Sequence, residues 1–329
     1  MNFLVIGSGK IAQRHIENIK LIDESAEVSL LTREKGNFKK NNLKEKISIE
    51  NVFTNENEAI ESNPDYVIIC NPSPFHIKSA LFFAKQGIHL FIEKPLSNNL
   101  DDIDLLQMEV KKRSIKAMVG YPLRFCRSMI SFKHAIEEGI IGDVLRIRSE
   151  CYSYLPSWRP EIDFKKTVSA NNDLGGGVLL ELSHELDYLM WIFGKGNLKL
   201  STTKKLQFLD LDVEDYAFLL LEYKNDLKKE FIAEVSLDFF SRTSKRTCEV
   251  FGSEGKLTWD GLNRTVKFFD YSNYQNVELF DGADCESNDM YVAEMEYFLS
   301  CIEKNIEVSP SLLESRELIK LIITAKNEN

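Results

Sequence analysis

The chain lacks the features that mark secreted, membrane-spanning and metal-binding proteins. None of its six cysteines belongs to a CxxC pair, so neither a zinc knuckle nor a disulfide framework is indicated. No basic segment with a long apolar run precedes the first apolar residues, and no apolar run is long enough to cross a bilayer. We therefore expect a cytoplasmic protein that has no membrane partner and no bound metal.

The chain has fewer basic than acidic residues, 41 against 51, which bears on possible partners. The formal net charge is -10, and an acidic surface repels phosphate backbones, so nucleic-acid binding is disfavoured. Hydrophobic residues make up 43% and charged residues 28% of the 329 positions, which are ordinary values for a globular protein. This length suits two domains with sizeable cores.

The first third of the chain alternates apolar runs with helix-like stretches. This alternation predicts a parallel sheet covered by helices on both faces. The polar stretch 35–51 is predicted to be a surface excursion. The predicted strands are 3–6, 28–31, 66–70, 89–92 and 116–119, and the predicted helices are 11–22, 75–86 and 101–113.

The pattern changes after residue 122. A predicted helix (128–138) leads to a strand (144–152), an irregular segment with Pro and Trp, and a glycine run that opens a helix ending at 193. Alternating strands then fill 198–269, and two helices follow in 290–326. The chain shows no internal repeat and no Gly- or Ser-rich linker. This order predicts an α/β domain followed by an α+β domain.

The sequence Gly7-Ser8-Gly9-Lys10-Ile11-Ala12 stands between the first strand and the first helix. It has the GxGxxA spacing of a dinucleotide-binding loop. Gly7 permits the tight turn, Gly9 lets the backbone approach a pyrophosphate, and Ala12 keeps the helix close to the sheet. Glycines also make ordinary turns, but the position between strand and helix favours the phosphate loop. Residues 1–122 are therefore predicted to form a doubly wound Rossmann domain.

The second predicted strand ends at Thr32 and Arg33. NAD sites usually have Asp or Glu here to bind the ribose 2′-hydroxyl, whereas a hydroxyl and a guanidinium suit a 2′-phosphate better. Arg33 could instead stack on adenine or lie in solvent. The sequence therefore slightly favours NADP over NAD.

Another strand runs into Glu93-Lys94-Pro95. Ligands of parallel sheets bind at the carboxyl ends of the strands, so this tripeptide aims two charges at the nicotinamide end of the site. Pro95 restricts Lys94 to an extended conformation, and the bond between them can be cis. A partly desolvated lysine beside the nicotinamide can act in proton transfer. The alternative is a surface ion pair at a strand end.

At this point the chain resembles the glucose–fructose oxidoreductase, inositol dehydrogenase and MocA family over essentially its whole length. The departure is Asn71-Pro72, where the family usually has Thr-Pro. The resemblance implies that Asn71, Pro72, His76 and Glu93 line the cofactor site and that Arg124 contacts substrate. It also implies a C-terminal α+β domain (123–329) with a large open, mostly antiparallel sheet, through which family members form homodimers or homotetramers. The C-terminal helix could pack back on the first domain. The residues that carry the resemblance are 7–12, 67–72, His76, Gly87, 93–95, 124–125 and 140–142.

In the family, the glycine run opens a helix that carries Asp, then His four residues later, then Asp three further on. His184 and Asp187 match the last two positions, and Asp187 is assigned to substrate binding. Position 180 is Leu, so either Glu181 takes the carboxylate role or the role is absent. His184 is a suitable acid or base for a hydroxyl that loses its proton as hydride leaves. His184-Glu185 does not open an HExxH zinc helix, because position 188 is Tyr.

An aromatic and basic segment precedes that helix. Aromatic rings stack on sugars, and guanidinium groups pair with carboxylates or phosphates. The segment predicts a negatively charged sugar substrate, free or linked to a nucleotide, although interdomain packing would explain it nearly as well. It also resembles family members from bacterial surface-polysaccharide pathways, including nonulosonic-acid contexts. Its candidate substrate residues are Tyr154, Trp158, Arg159 and Lys165.

The sequence thus predicts an NAD(P)-dependent dehydrogenase or reductase acting on a CH–OH group of a small sugar, with Lys94 and His184 handling the proton. Two alternatives remain open. One is a glycosidase of the same fold that recycles bound NAD, and the other is a non-catalytic dinucleotide sensor. Lys94 and His184 argue against the sensor, because a sensor needs only the phosphate loop.

Overall fold

Strands of a sheet that is covered on both faces are buried at nearly every position, and five of the first six strands are of this kind. In the computed structural model, which describes residues 1–33, 49–224 and 229–328, they form a parallel sheet of six strands in the order β3-β2-β1-β4-β5-β6. The strands are β1 (Asn2–Ile6), β2 (Glu27–Leu31), β3 (Val52–Phe53), β4 (Tyr66–Ile69), β5 (His89–Glu93) and β6 (Ala117–Gly120).

Among the residues that the structure describes, four helices accompany these strands: α1 (Lys10–Ile22), α2 (Glu56–Ile60), α3 (His76–Ala84) and α4 (Ile103–Arg113). The predicted Rossmann-type sheet is confirmed, with element ends shifted by a few residues. β3 and α2 were not predicted, because two and five residues are too few to show a period. Most of the predicted surface excursion, residues 35–48, lies outside the described residues.

The second sheet has eight strands in the order β14-β13-β12-β11-β7-β10-β9-β8. Within the described ranges, β7 and β10 pair in parallel and the other neighbouring strands pair antiparallel, so the predicted large and mostly antiparallel sheet is confirmed. Its strands are β7 (Val144–Tyr154), β8 (Asn197–Lys204), β9 (Tyr216–Lys224), β10 (Glu230–Asp238), β11 (Phe240–Gly252), β12 (Gly255–Asp260), β13 (Thr265–Asp270) and β14 (Gln275–Phe280).

Five further helices complete the described chain: α5 (Arg127–Glu137), α6 (Val178–Glu181), α7 (His184–Phe193), α8 (Asp289–Glu303) and α9 (Leu312–Asn327). Short 3-10 turns occupy much of the segment between β7 and α6. The segment predicted as one helix up to 193 is two helices, because the hydrogen bonds shorten to i→i-3 around Ser183. Positions counted across that break do not keep the helical period.

The chain divides into two units. The first comprises Met1–Tyr121 and Tyr291–Ile319, and the second comprises Pro122–Met290 and Lys320–Asn329. The boundary predicted at residue 122 groups 291–319 with the second domain, whereas in the structure this segment belongs to the first unit. Within that unit, an isolated bridge joins Met118 to Ser311. In the described part of the chain, no helix has the length and hydrophobicity of a membrane span.

Candidate functional site

The turn after β1 has the shape that a phosphate loop requires. Gly7 has φ +107°, and a Cβ there would lie 2.9 Å from the carbonyl oxygen of Cys70, so only glycine fits. A Cβ on Gly9, which precedes α1, would meet no protein atom within 4 Å. Ala12 is fully buried in α1. The loop therefore leaves open space at a helix N-terminus, where a pyrophosphate fits. Ser8, Lys10 and Ile11 lie in the same turn.

At the end of β2, Thr32 is buried and Arg33 is exposed. The guanidinium of Arg33 lies 4.2 Å from the centre of the Phe75 ring, which precedes α3. This contact holds Arg33 at the carboxyl edge of the sheet, where the sequence predicted a contact with the ribose or its phosphate. The guanidinium is consistent with either nicotinamide cofactor.

The strand ends β4 and β5 are tied together by His76. Its Nε2 lies 2.6 Å from the carbonyl oxygen of Asn71, and its Nδ1 lies 3.0 Å from that of Pro95. Burial lowers the pKa of His76, which favours the neutral ring, and a neutral ring has one N–H to donate. Pro72 adjoins this network. His76 was expected to bind cofactor, but in the structure both of its nitrogens contact the protein backbone, and the cofactor role stays a prediction.

Glu93 is held by contacts within the first unit, and its predicted role in cofactor binding stays a prediction. Its Oε1 is 2.5 Å from Nε2 of His15 on α1, and its Oε2 accepts the backbone N–H of Lys94 at 3.1 Å. His15 is fully buried and Glu93 is nearly so. Glu93 is thus a buried support of the strand end, while Lys94 is half-buried and joined to Pro95 by a cis bond. His15 was missed, although it falls on the buried face of α1 with Ala12 and Ile16.

In the second unit, the glycine run Gly175-Gly176-Gly177 positions the start of α6. Gly177 has φ +109°, and a Cβ there would lie 2.4 Å from Oε1 of Glu214. Glu214 in turn accepts backbone N–H groups of Val178 and Leu179. The run is therefore a structural requirement of this turn. Glu181 is the last residue of α6 and partly exposed.

His184 is the first residue of α7 and keeps 17% of its side chain exposed. Its Nε2 lies 3.1 Å from Oε1 of Glu185, a fully buried carboxylate. The Nε and Nη2 atoms of Arg246 on β11 both lie 2.7 Å from the same oxygen. Glu185 was not assigned a role from the sequence, because two adjacent helical residues do not normally share a face.

Ligand atoms of Cys151, His184 and Glu185 lie within 4.8 Å of one another, a spacing that a metal ion could bridge. The Arg246 guanidinium already occupies Glu185 and would repel a cation. Burial also raises the pKa of the Cys151 thiol, which keeps it protonated. The arrangement is therefore a hydrogen-bonded cluster around His184.

The predicted substrate residues Arg124 and Asp187 pair with each other. Arg124 Nε donates to Asp187 Oδ2 at 2.9 Å and Nη2 donates to Oδ1 at 2.7 Å, and each side chain is 3% exposed. Trp191, one turn further along α7, lies under the guanidinium. Both groups serve this buried pair in the structure, and their contact with substrate stays a prediction.

The aromatic and basic segment does not form a single cluster. Tyr154 contacts Arg242, whose guanidinium lies 5.0 Å from the ring centre and which the sequence did not single out. Trp158, 37% exposed, donates its indole N–H to Ser153. Arg159 is exposed, and Lys165 pairs with Asp210 at 2.6 Å. Tyr154 keeps its ring face against a cation, Arg242.

Comparison with known proteins agrees with this fold. Residues 1–121 match the model described as "Oxidoreductase family, NAD-binding Rossmann fold", and residues 129–258 match the "GFO/IDH/MocA C-terminal domain". Myo-inositol 2-dehydrogenase of Thermotoga maritima is 29% identical over 278 residues, which are 81% of this chain and 77% of that protein.

Two further relatives extend this picture. Inositol 2-dehydrogenase of Rhizobium meliloti is 26% identical over 77% of this chain and 76% of its own length. A solved levoglucosan dehydrogenase in complex with NADH and levoglucosan shares the fold, with a TM-score of 0.85 and 18% identity over 100% of this chain and 98% of that one.

Proposed function

Because the chain belongs to the GFO/IDH/MocA family of NAD-binding oxidoreductases, we propose that it transfers hydride between nicotinamide and a hydroxyl-bearing carbon of a sugar or polyol. The observation that carries the proposal is the end of β5, where Glu93 is fixed by His15 and Lys94 follows it half-buried. Relatives named as inositol and levoglucosan dehydrogenases support a polyhydroxylated ring as substrate. They favour a dehydrogenase over a glycosidase that recycles NAD.

The phosphate loop and the strand ends suit a dinucleotide. Gly7, Ser8, Gly9, Lys10 and Ile11 would hold the pyrophosphate at the start of α1. When bound, the nicotinamide supplies the hydride acceptor or donor.

Lys94 is proposed to assist the proton transfer from the reacting hydroxyl. Its backbone N–H is held by Glu93, so the start of its side chain is fixed relative to the sheet. Lysine is one of the side chains that serve as general acids and bases, so Lys94 is a suitable partner in this transfer.

His184 is proposed as the second proton-handling group. It is partly exposed, so it can exchange protons, while its ring is anchored through Nε2. An imidazole titrates near neutral pH, which suits proton relay to and from solvent. Glu181 remains a candidate for the same machinery, as the preceding helix ends there.

The proposed cofactor preference is NADP(H) at least as tight as NAD(H). Arg33 stacks on Phe75 and so presents a guanidinium at the end of β2, where a 2′-phosphate would lie. Isothermal titration of both cofactors to the protein and to Arg33→Ala measures this. A wild-type protein that binds NAD far more tightly, with Arg33→Ala unchanged toward NADP, would contradict it.

The proposed substrate is an acidic or nucleotide-linked sugar, of the kind used in surface-polysaccharide synthesis. Tyr154, Trp158 and Arg159 offer ring faces and a cation, and Arg242 adds a second cation against Tyr154. Neutral rings such as inositol would use the aromatic faces without the cations. Thermal shift with neutral polyols, sugar acids and nucleotide sugars separates these classes, because a bound ligand stabilises the native state.

Turnover of Lys94→Ala tests the catalytic assignment. Loss of the acid or base should lower kcat by ~10²–10⁴-fold while the cofactor still binds. Lys78→Ala on the surface of α3 is a control lysine that the proposal gives no role. A Lys94→Ala protein with wild-type turnover on the true substrate would exclude Lys94 from the chemistry.

We also propose a homodimer or homotetramer formed through the outer face of the eight-stranded sheet. Along β10 and β11 this face carries the exposed Ile232 and the half-buried Phe251, and Arg146 stacks on the Phe251 ring at 4.4 Å. Apolar groups on an open sheet favour a partner surface. Light scattering of Ile232→Glu should show a smaller particle than the wild type, and an unchanged mass would rule out this face.

A further inference from the structure

We propose that Glu185 is the positioning carboxylate of His184 and that Arg246 holds it in place, so that the neutral imidazole carries its proton on Nε2 and accepts the substrate proton at Nδ1. The contact itself needs no assumption about activity, but its catalytic meaning rests on the proposed function. The inference gives Glu185 the supporting role that helical spacing had suggested for Glu181.

The geometry places one carboxylate oxygen between two nitrogen donors. Oε1 of Glu185 lies 3.1 Å from Nε2 of His184 and 2.7 Å from both Nε and Nη2 of Arg246. Arg246 lies on β11 directly opposite Cys151 of β7, so the guanidinium comes from the sheet beneath the helix. Both strands are central in the sheet, which makes this anchor rigid.

A second contact fixes the same helix on the same strands. Tyr188, one turn beyond His184 on α7, places its hydroxyl 2.6 Å from Oγ of Ser149 on β7. Its ring also packs edge-on against Trp259. Glu185 and Tyr188 together hold the first turns of α7 on the sheet, and with them the backbone of His184.

Glu185 stays ionised in this setting. Burial alone would raise its pKa, but the Arg246 guanidinium and the His184 ring outweigh burial and lower the pKa to about 2. The other titratable groups around it are Cys151 on β7, Cys248 on β11 and Tyr188 on α7. Burial raises the pKa of all three, so they are neutral at physiological pH and add no competing charge.

An ionised partner at Nε2 determines which nitrogen can react. A carboxylate can only accept, so the ring must donate from Nε2, and the lone pair of the neutral ring then lies on Nδ1. Proton transfer from the substrate hydroxyl breaks an O–H bond and forms Nδ1–H. The imidazolium that results is stabilised by the adjacent negative charge. Glu185 therefore acts through His184 and need not touch substrate.

The first experiment measures the imidazole directly. The chain has five histidines, so His184→Asn assigns the His184 signal in an NMR titration. In Glu185→Gln the ring loses a neighbouring negative charge, and its titration midpoint should move to lower pH by about one unit or more. Glu249→Gln is the matched control, because Glu249 pairs with Arg148 and alternates to the opposite face of β11 from Arg246. It should leave the midpoint unchanged.

The second experiment measures turnover of the same proteins. Glu185→Gln should lower kcat by about 10-fold or more and shift the acid limb of the pH–rate profile to lower pH, with KM little changed. Glu185→Asp keeps the charge and should restore the position of the limb. If Glu185→Gln alone does not fold, because Arg246 is left without its partner, the double variant Glu185→Gln/Arg246→Met is measured instead.

The outcomes separate the inference from the function it rests on. An identical His184 titration in the wild type and in the folded Gln variant overturns the inference. A shifted titration combined with full activity of His184→Ala upholds the contact but removes His184 from the proposed mechanism. A shift caused equally by Glu249→Gln would show a general charge effect and would also overturn the inference.

Discussion

Asp187→Asn should destabilise the second unit strongly, because it removes one partner of a buried ion pair. Arg124 makes two hydrogen bonds to this carboxylate, and both side chains are only 3% exposed. Breaking such a pair from one side typically costs about 3–5 kcal/mol, since the remaining charge is left buried. A unit of this size loses roughly 2–4 °C of Tm per kcal/mol, so Tm should fall by roughly 6 °C or more.

Calorimetry or thermal melting of the purified variant measures this change. The double variant Arg124→Leu/Asp187→Leu removes both charges and should be more stable than Asp187→Asn alone, because no buried charge is left unpaired. Lys165→Gln is a control that breaks the exposed pair with Asp210, and its melting should barely change.

The same variants decide between two roles for the pair. A structural pair predicts that Asp187→Asn melts early, while the folded fraction binds substrate with little change in KM. If Asp187→Asn melts within about 1 °C of the wild type and instead raises KM, the buried-pair reasoning is refuted. Asp187 would then be a substrate ligand, as its position in the sequence pattern predicted.

Three further outcomes are expected from the first unit. Gly7→Ala should weaken NAD(P) binding and also lower Tm, because a φ of +107° disfavours a residue with a side chain. Gly9→Ala should weaken NAD(P) binding with little loss of Tm, because a Cβ there meets no protein atom. Titration calorimetry measures the binding and thermal melting measures Tm. Burial lowers the pKa of His76, so on acidification the unfolded chain takes up the His76 proton before the folded chain does. The contribution of His76 to the free energy of unfolding is therefore full above about pH 6.5 and is lost as pH decreases through the folded-state pKa. In denaturant titrations at pH 5–7, His76→Gln should lose less stability with decreasing pH than the wild type does. His15→Leu should lower Tm, because it leaves Glu93 buried beside an apolar group. The double variant His15→Leu/Glu93→Gln should recover part of that loss. Equal Tm values for the single and the double variant would show that the loss does not come from an unpaired Glu93.

The elements of the first sheet could be predicted because their physics is local. A parallel strand with helices on both faces must be apolar at nearly every position, and that run is visible in β1, β4 and β5 without knowing what packs against them. The glycine spacing after β1 is also local, since it follows from one turn. The short pair β3 and α2 has too few residues to carry a period, and it was missed for that reason.

The contacts that support the candidate site could not be predicted, because they join residues far apart in the chain. His15 and Glu93 are 78 positions apart, and Arg246 reaches Glu185 from 61 positions away. A sequence pattern indicates which face of a helix is buried, but not which charge meets it there. The break before α7 adds to the difficulty, because neither Gly nor Pro marks it.

Glu93 and Glu185 show one arrangement used twice. Each is a buried carboxylate next in sequence to a candidate proton-handling residue, Lys94 or His184. Each is also held by a side chain from a distant element, His15 or Arg246. Adjacent residues share a peptide unit, so fixing the carboxylate also restricts the backbone of its neighbour. The neighbour's side chain can then stay partly exposed without losing its position. From the sequence alone, an acidic residue beside a basic one suggests a surface ion pair. In both units, however, the acidic residue is buried and supports the basic residue next to it.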